Sequence, residues 1–164
     1  MSLLVPEASS VLRTHCPDWD FTNPPLDPTE VTTKLLATML YEDGIGIAAP
    51  QIGFSYRVFL MQVDGRTLVC FNPTVTAQSS ETVVIKEGCL SFPGLRINVE
   101  RAAEISVKYQ TADGEFQEEN LTGMLARCYL HELDHLNGTC FTERVSKLVL
   151  AMAKKRREKN GRKS

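Results

Sequence analysis

The order of patterns along this chain predicts an α+β fold, with helices towards either end and antiparallel sheet between them. Three observations carry the reading: a capped helical stretch at Asp27, strand-like runs turned at Asp64-Gly65 and Asp113-Gly114, and a return to helical spacing from Leu121. At 164 residues, 43% apolar and 23% charged, the composition is that of one globular domain over residues 1–164 and excludes a fibre or a disordered chain.

Asp27-Pro28-Thr29-Glu30 opens the first helix: Asp27 can cap it, Pro28 suits the first turn, and Glu30 has the spacing of a capping box. Val31, Leu35, Leu36, Met39 and Leu40 supply its buried face. The glycine-rich GIGIAAPQIG that follows reads as a loop. Beyond it RVFLMQV and TLVCFNP flank Asp64-Gly65, a pair that tolerates the positive φ of a tight hairpin. TVVIKEG and AEISVKYQT are further strand-like runs, and Asp113-Gly114 turns the second into EFQEEN. From Leu121 the positions Met124, Leu125, Cys128, Leu133 and Leu136 keep helical spacing up to a stop at Asn137-Gly138. A last amphipathic helix starts near Ser146, passes through Leu148, Val149, Ala151 and Met152, and frays after Asn160-Gly161.

No run of this chain approaches the roughly 18 apolar residues of a membrane span, and its first residues lack a basic start and a long apolar core. A cytoplasmic protein with no membrane partner is therefore expected, and a monomer is the expected state. The five cysteines, odd in number and irregularly spaced, read as free thiols in a reducing compartment. Residues from about 151 to 164 form a short basic tail, with seven Lys and Arg against Glu158 alone, on an acidic body.

The chemistry is concentrated in His131-Glu132-Leu133-Asp134-His135. This is an HExxH pattern on the predicted helix, where imidazoles four residues apart face one ion and the glutamate stands beside any water on it. Hydrolytic metal centres usually take three protein ligands and leave a position open, so a third ligand must come from elsewhere. Cys89 is the strongest candidate because Gly88 lets the chain approach closely, although alone such a cysteine more often reads as a packed core thiol.

GIGIAAPQ (44–51), EGCLS (87–91) and HELDH (131–135), in that order, resemble the three motifs of peptide deformylases, and the likeness runs from about Val11 to Ser146. It implies an α+β fold with antiparallel sheets packed around a central HExxH-bearing helix, and Cys89, His131 and His135 as ligands of one divalent ion. That ion would be Fe²⁺, with Zn²⁺, Ni²⁺ or Co²⁺ able to occupy the same ligands. The implied activity is removal of the N-formyl group from the initiating methionine of nascent polypeptides, releasing formate. Glu132 would take the proton of the attacking water and return it to the leaving amine. Gln51 and the backbone N–H of Leu90 would stabilise the charge on the former carbonyl oxygen.

By the same resemblance Ile45 and Gly46 would pair with the peptide, while Ile45, Ile85, Leu90, Met124, Cys128 and the stem of Arg127 would enclose the methionine side chain. Arg96 would stand at the peptide-facing rim, and Asp43 and Arg101 would form a structural pair. One departure is Leu130, where the family commonly has a glutamine able to hydrogen-bond near the ligands. The rivals are a zinc endopeptidase, since HExxH alone serves that chemistry, and a noncatalytic metal-stabilised protein that contacts ribosomal RNA through KKRREKNGRK.

Overall fold

Asp27 accepts hydrogen bonds from the backbone N–H groups of Thr29 (2.6 Å) and Glu30 (3.3 Å), which fixes the start of α1 (Pro28–Tyr41). The structure, a computed structural model, describes residues 2–161. Glu30 does not close a capping box; its carboxylate takes Lys34 one turn on, at 2.7 Å. Val31, Leu35 and Met39 are buried, but Leu40 is 59% exposed because one residue beyond Met39 the helix has turned about 100° off its inward stripe.

The segment expected to be a loop holds a short strand, β1 (Gly46–Ala48), and a 3₁₀ turn, Ala49–Ile52. Its strand character comes from pairing with Phe59–Met61, a partner no local pattern reveals. β2 (Val58–Val63) and β3 (Arg66–Gln78) form the predicted hairpin, with Asp64 at φ 52° and Gly65 at φ 75°. β4 (Thr82–Cys89) pairs with β5 (Phe92–Ala102) in a separate two-stranded sheet. β5 was not among the expected strands, because Pro93 and Gly94 punctuate its start, yet Leu95, Ile97, Val99 and Arg101 alternate inward along it. β6 (Glu104–Gln110) and β7 (Phe116–Thr122) complete an antiparallel five-stranded sheet in the order β1-β2-β3-β6-β7.

Helix α2 (Gly123–Leu136) lies between the two sheets, packed on β1, β2, β6 and β7 of the larger and on β5 of the smaller. Leu121 belongs to β7 and not to this helix, whose N-cap is Thr122. Tyr129 and Phe59 meet edge to face at 5.0 Å at the centre of the contact. Helix α3 (Lys147–Gly161) packs on β5 but buries only Ala153; Leu148 (70%) and Met152 (53%) are exposed, so the expected amphipathic face is not covered. Arg162 and Lys163 of the basic tail, and any fraying after Gly161, lie outside the described residues.

The chain before α1, together with Arg57 just ahead of β2, holds the C-terminal end of α2 in place. Cys16 N–H donates to the Leu136 carbonyl (2.8 Å), and Arg57 donates to that carbonyl (3.2 Å) and to Asn137 Oδ1 (2.9 Å). Gly138 sits at φ 70°, where a Cβ would fall 2.8–2.9 Å from the carbonyl carbons of Thr14 and Arg13. Gly138→Ala is therefore expected to lower stability in urea unfolding by about 2–4 kcal/mol, backbone strain adding to a collision with main chain that cannot yield. Gly65→Ala, at φ 75° with nothing within 4 Å, should cost only the strain of about 1–2 kcal/mol.

Candidate metal and catalytic site

One turn of α2 separates His131 from His135, and their rings stand edge to face with centroids 5.2 Å apart. Cys89 reaches them from the end of β4, where a register shift between Glu87 and Cys89 turns the thiol inward; its Sγ is 3.3 Å from His135 Nε2. The ligand atoms of Cys89, His131 and His135 all lie within 4.8 Å of one another. At Gly88 a Cβ would fall 2.5–2.8 Å from the Arg96 guanidinium, so a larger residue here would have to push that exposed side chain aside.

The buried Glu87 carboxylate joins β4 to α2. One of its oxygens faces His131 Nδ1 at 2.8 Å and accepts from Arg101 Nη2 at 3.0 Å; the other accepts from Arg101 Nε (2.6 Å) and Arg127 Nη1 (2.8 Å). Burial alone would raise the Glu87 pKa, but the hydrogen bonds from His131 and Arg101 outweigh it and hold the carboxyl well below the usual range. With Nδ1 of His131 engaged in this way, Nε2 is left for a metal. Arg101 also donates to Asp134 (2.8 Å), which Arg144 holds from the far side.

Asp43 does not pair with Arg101: it is exposed in the turn after α1, whereas Arg101 points from β5 into the space between sheet and helix. His135 is kept neutral by burial, and its Nδ1 finds no partner among the described residues. Leu130 packs into the core under the larger sheet.

Glu132, 3% exposed, faces the same space. Its Oε2 has no hydrogen-bond partner among the described residues, and burial pushes its carboxyl up to about 7. A Cβ at Gly46 would strike Glu132 Oε1 and Cys128 Sγ, so only glycine lets β1 pass this close to the carboxylate. Gln51 is buried with its amide fixed: Oε1 accepts from Ala48 N–H (2.8 Å), and Nε2 donates to Ser91 Oγ (3.0 Å) and towards Cys89 Sγ (3.6 Å).

These groups open onto a cleft of about 550 Å³. Ile45, Gly46, Ile85, Leu90, Arg96, Met124, Arg127 and Cys128 all line it, Leu90 from the turn between β4 and β5. The Arg127 head is turned away to Glu87 and the carbonyls of Val83 (2.6 Å) and Val99 (2.7 Å), leaving its stem to the cleft. Cys128 is a buried thiol whose pKa burial drives well up, so it is a wall and not a nucleophile.

A cysteine sulfur and two imidazoles on one side of a cleft suit a hydrolytic transition-metal ion, and the residues present fit one. The sequence profile described as "Polypeptide deformylase" matches residues 2–150. The chain belongs to the polypeptide deformylase family.

The chain resembles the peptide deformylase of Thermotoga neapolitana, with 42% identity over 123 residues, 75% of each chain. It resembles that of Wolbachia pipientis wMel at 37% over 143 residues, 79% of this chain and 80% of the other. Among solved structures, the Thermotoga maritima deformylase superposes with a TM-score of 0.84 at 38% identity, covering 89% of this chain and 98% of that one. The Synechococcus elongatus enzyme in complex with actinonin gives 0.85 at 34%, covering 94% and 85%. This deformylase is thus a hydrolase, and the endopeptidase reading falls.

Sequence reasoning gave no role to Glu87, which meets His131, to Ser91, which accepts from Gln51, or to Asp134 and Arg144, which extend the Arg101 network. Glu87 stands two residues before Cys89, but its partners come from β5 and α2, so nothing local set it apart from its charged neighbour Lys86. Glu87→Gln in this deformylase is expected to lose about 3 kcal/mol in urea unfolding, since it leaves buried guanidinium groups short of charge. Metal affinity should fall about 10–100-fold in a chelator competition titration.

Proposed function

We propose that this deformylase hydrolyses the formamide at the start of nascent polypeptides with Cys89, His131 and His135 as ligands of one divalent ion and Glu132 as general base and acid. Such an ion supplies a lowered pKa for a water and polarisation of the formyl oxygen. Fe²⁺ is the proposed occupant, with Zn²⁺, Ni²⁺ or Co²⁺ as alternatives for the same donors.

The observation that carries the reading is the Glu132 carboxylate, buried, unpartnered at Oε2 and poised near neutrality beside the ligand cluster. A base at that pKa takes a proton from the attacking water and holds it until the amine departs. The Gln51 Nε2–H group and the Leu90 N–H are the proposed donors to the oxygen that gains charge; the fixed amide of Gln51 supports this because it needs no reorganisation.

β1 is an edge strand of the larger sheet, which supports Ile45 and Gly46 as the backbone to which an extended substrate adds. Ile45, Ile85, Leu90, Met124, Cys128 and the Arg127 stem then surround the methionine side chain, with Arg96 at the rim. The protein acts as a cytoplasmic monomer in this reading. Five free cysteines fit a reducing compartment, and among the described residues no helix is long and apolar enough to cross a membrane.

Formate release from formyl-Met-Ala by anaerobically prepared Fe²⁺ or Ni²⁺ protein is the test. Native protein should turn over, and Glu132→Ala should fall about 10²–10⁴-fold in kcat at equal metal content. No release from either metallated protein would favour the noncatalytic alternative.

The exposed cations of α3 are proposed to make transient ribosome contact. Replacing Lys154, Lys155 and Lys159 by Gln should weaken co-sedimentation with ribosomes at low salt and spare formyl-Met-Ala turnover; unchanged association would remove this role.

A further inference from the structure

A second hollow, of about 680 Å³, runs between α3 and the outer face of the β4–β5 sheet. Its sheet wall consists of residues that alternate away from α2: Gly94, Arg96 and Asn98 on β5, and Lys86, the partner of Asn98, on β4. Val149, Met152 and Arg156 form its helix wall. Lys86, Gly94 and Arg96 also line the catalytic cleft, so the two hollows are continuous.

The charge of this groove is one-sided. Lys86, Arg96 and Arg156 are exposed, and among the described residues none has a carboxylate within 4.0 Å. A fourth cation, Arg157, is already held by Glu7 at 2.9 Å. Among the described residues no acidic side chain lines the groove, whereas another part of the cleft rim carries Glu42 and Asp43.

We propose that this groove docks acidic residues of the nascent chain several positions downstream of the formylated methionine. The inference rests on the proposed function, since the substrate is the chain whose formyl end the cleft holds. A polypeptide longer than the cleft must leave across one rim; Glu42 and Asp43 repel carboxylates, and Lys86 and Arg96 attract them. The aliphatic wall of Val149 and Met152 suits peptide side chains. It offers no aromatic face on which the bases of a single-stranded nucleic acid would stack.

The test compares formyl-Met-Ala-Ser-Gly peptides that continue with three glutamates or three glutamines. With native protein at low ionic strength, kcat/KM should be about three- to tenfold higher for the glutamate peptide, through KM, and the difference should shrink with added salt. The variant Met152→Glu/Arg156→Glu, changed at two exposed positions of α3 outside the cleft, should lose the preference and keep native turnover of formyl-Met-Ala. Fluorescence anisotropy with labelled, unformylated versions of the two peptides reads the groove without turnover and should give the same ranking. Equal binding of both peptides by native protein, a preference that survives in the variant, or competition by a short single-stranded RNA but not by the glutamate peptide would each overturn the proposal. Absent turnover of formyl-Met-Ala would instead defeat the functional reading, with anisotropy still deciding the groove.

Discussion

The Glu87 carboxylate is the interaction on which the rest of the site depends. It lies on the two-stranded sheet, takes two guanidinium groups from β5 and α2, and meets the first histidine of HExxH. A charge buried this deeply persists only when its oxygens are matched, and here each accepts from an arginine. Satisfying Glu87 therefore fixes at once how β4 lies on α2, where Cys89 stands relative to the imidazoles, and which nitrogen of His131 faces the ligand space. Asp134 extends the same network to Arg144 beyond the end of α2, so fold and ligand geometry are set by one set of contacts.

Inside this matched framework there is an imbalance. Glu87 is surrounded by donors and is locked in its ionised form, while Glu132, one residue from the same histidine, keeps an oxygen without a partner. The two carboxylates differ in environment and not in chemistry. One is made permanent and structural, the other is left able to exchange a proton near neutrality.

Much of this was legible in the sequence, and the reason is locality. The cap at Asp27, the Asp64-Gly65 hairpin and the stop at Asn137-Gly138 depend on neighbouring residues, and HExxH encodes its geometry in helical spacing. What was not legible depends on partners far along the chain. β1 looked like a loop because its strand character comes from β2, β5 was hidden behind Pro93-Gly94, and Arg101 goes to Glu87 and Asp134 and not to Asp43. Leu40 and the apolar residues of α3 show the opposite failure: pattern suggested burial, but no element covers them.

The edge strand β1 is three residues long, fully buried in side chain, and set at the back of a cleft. An edge this short and buried offers little to the pairing by which exposed edges nucleate aggregates. Under the proposed addition of substrate to β1, the same recess acts as a filter on conformation: a terminus already drawn into secondary structure presents no free strand to it. The enzyme is thereby placed in a race with folding, and the time available to it for each client is the time that client's first residues stay extended.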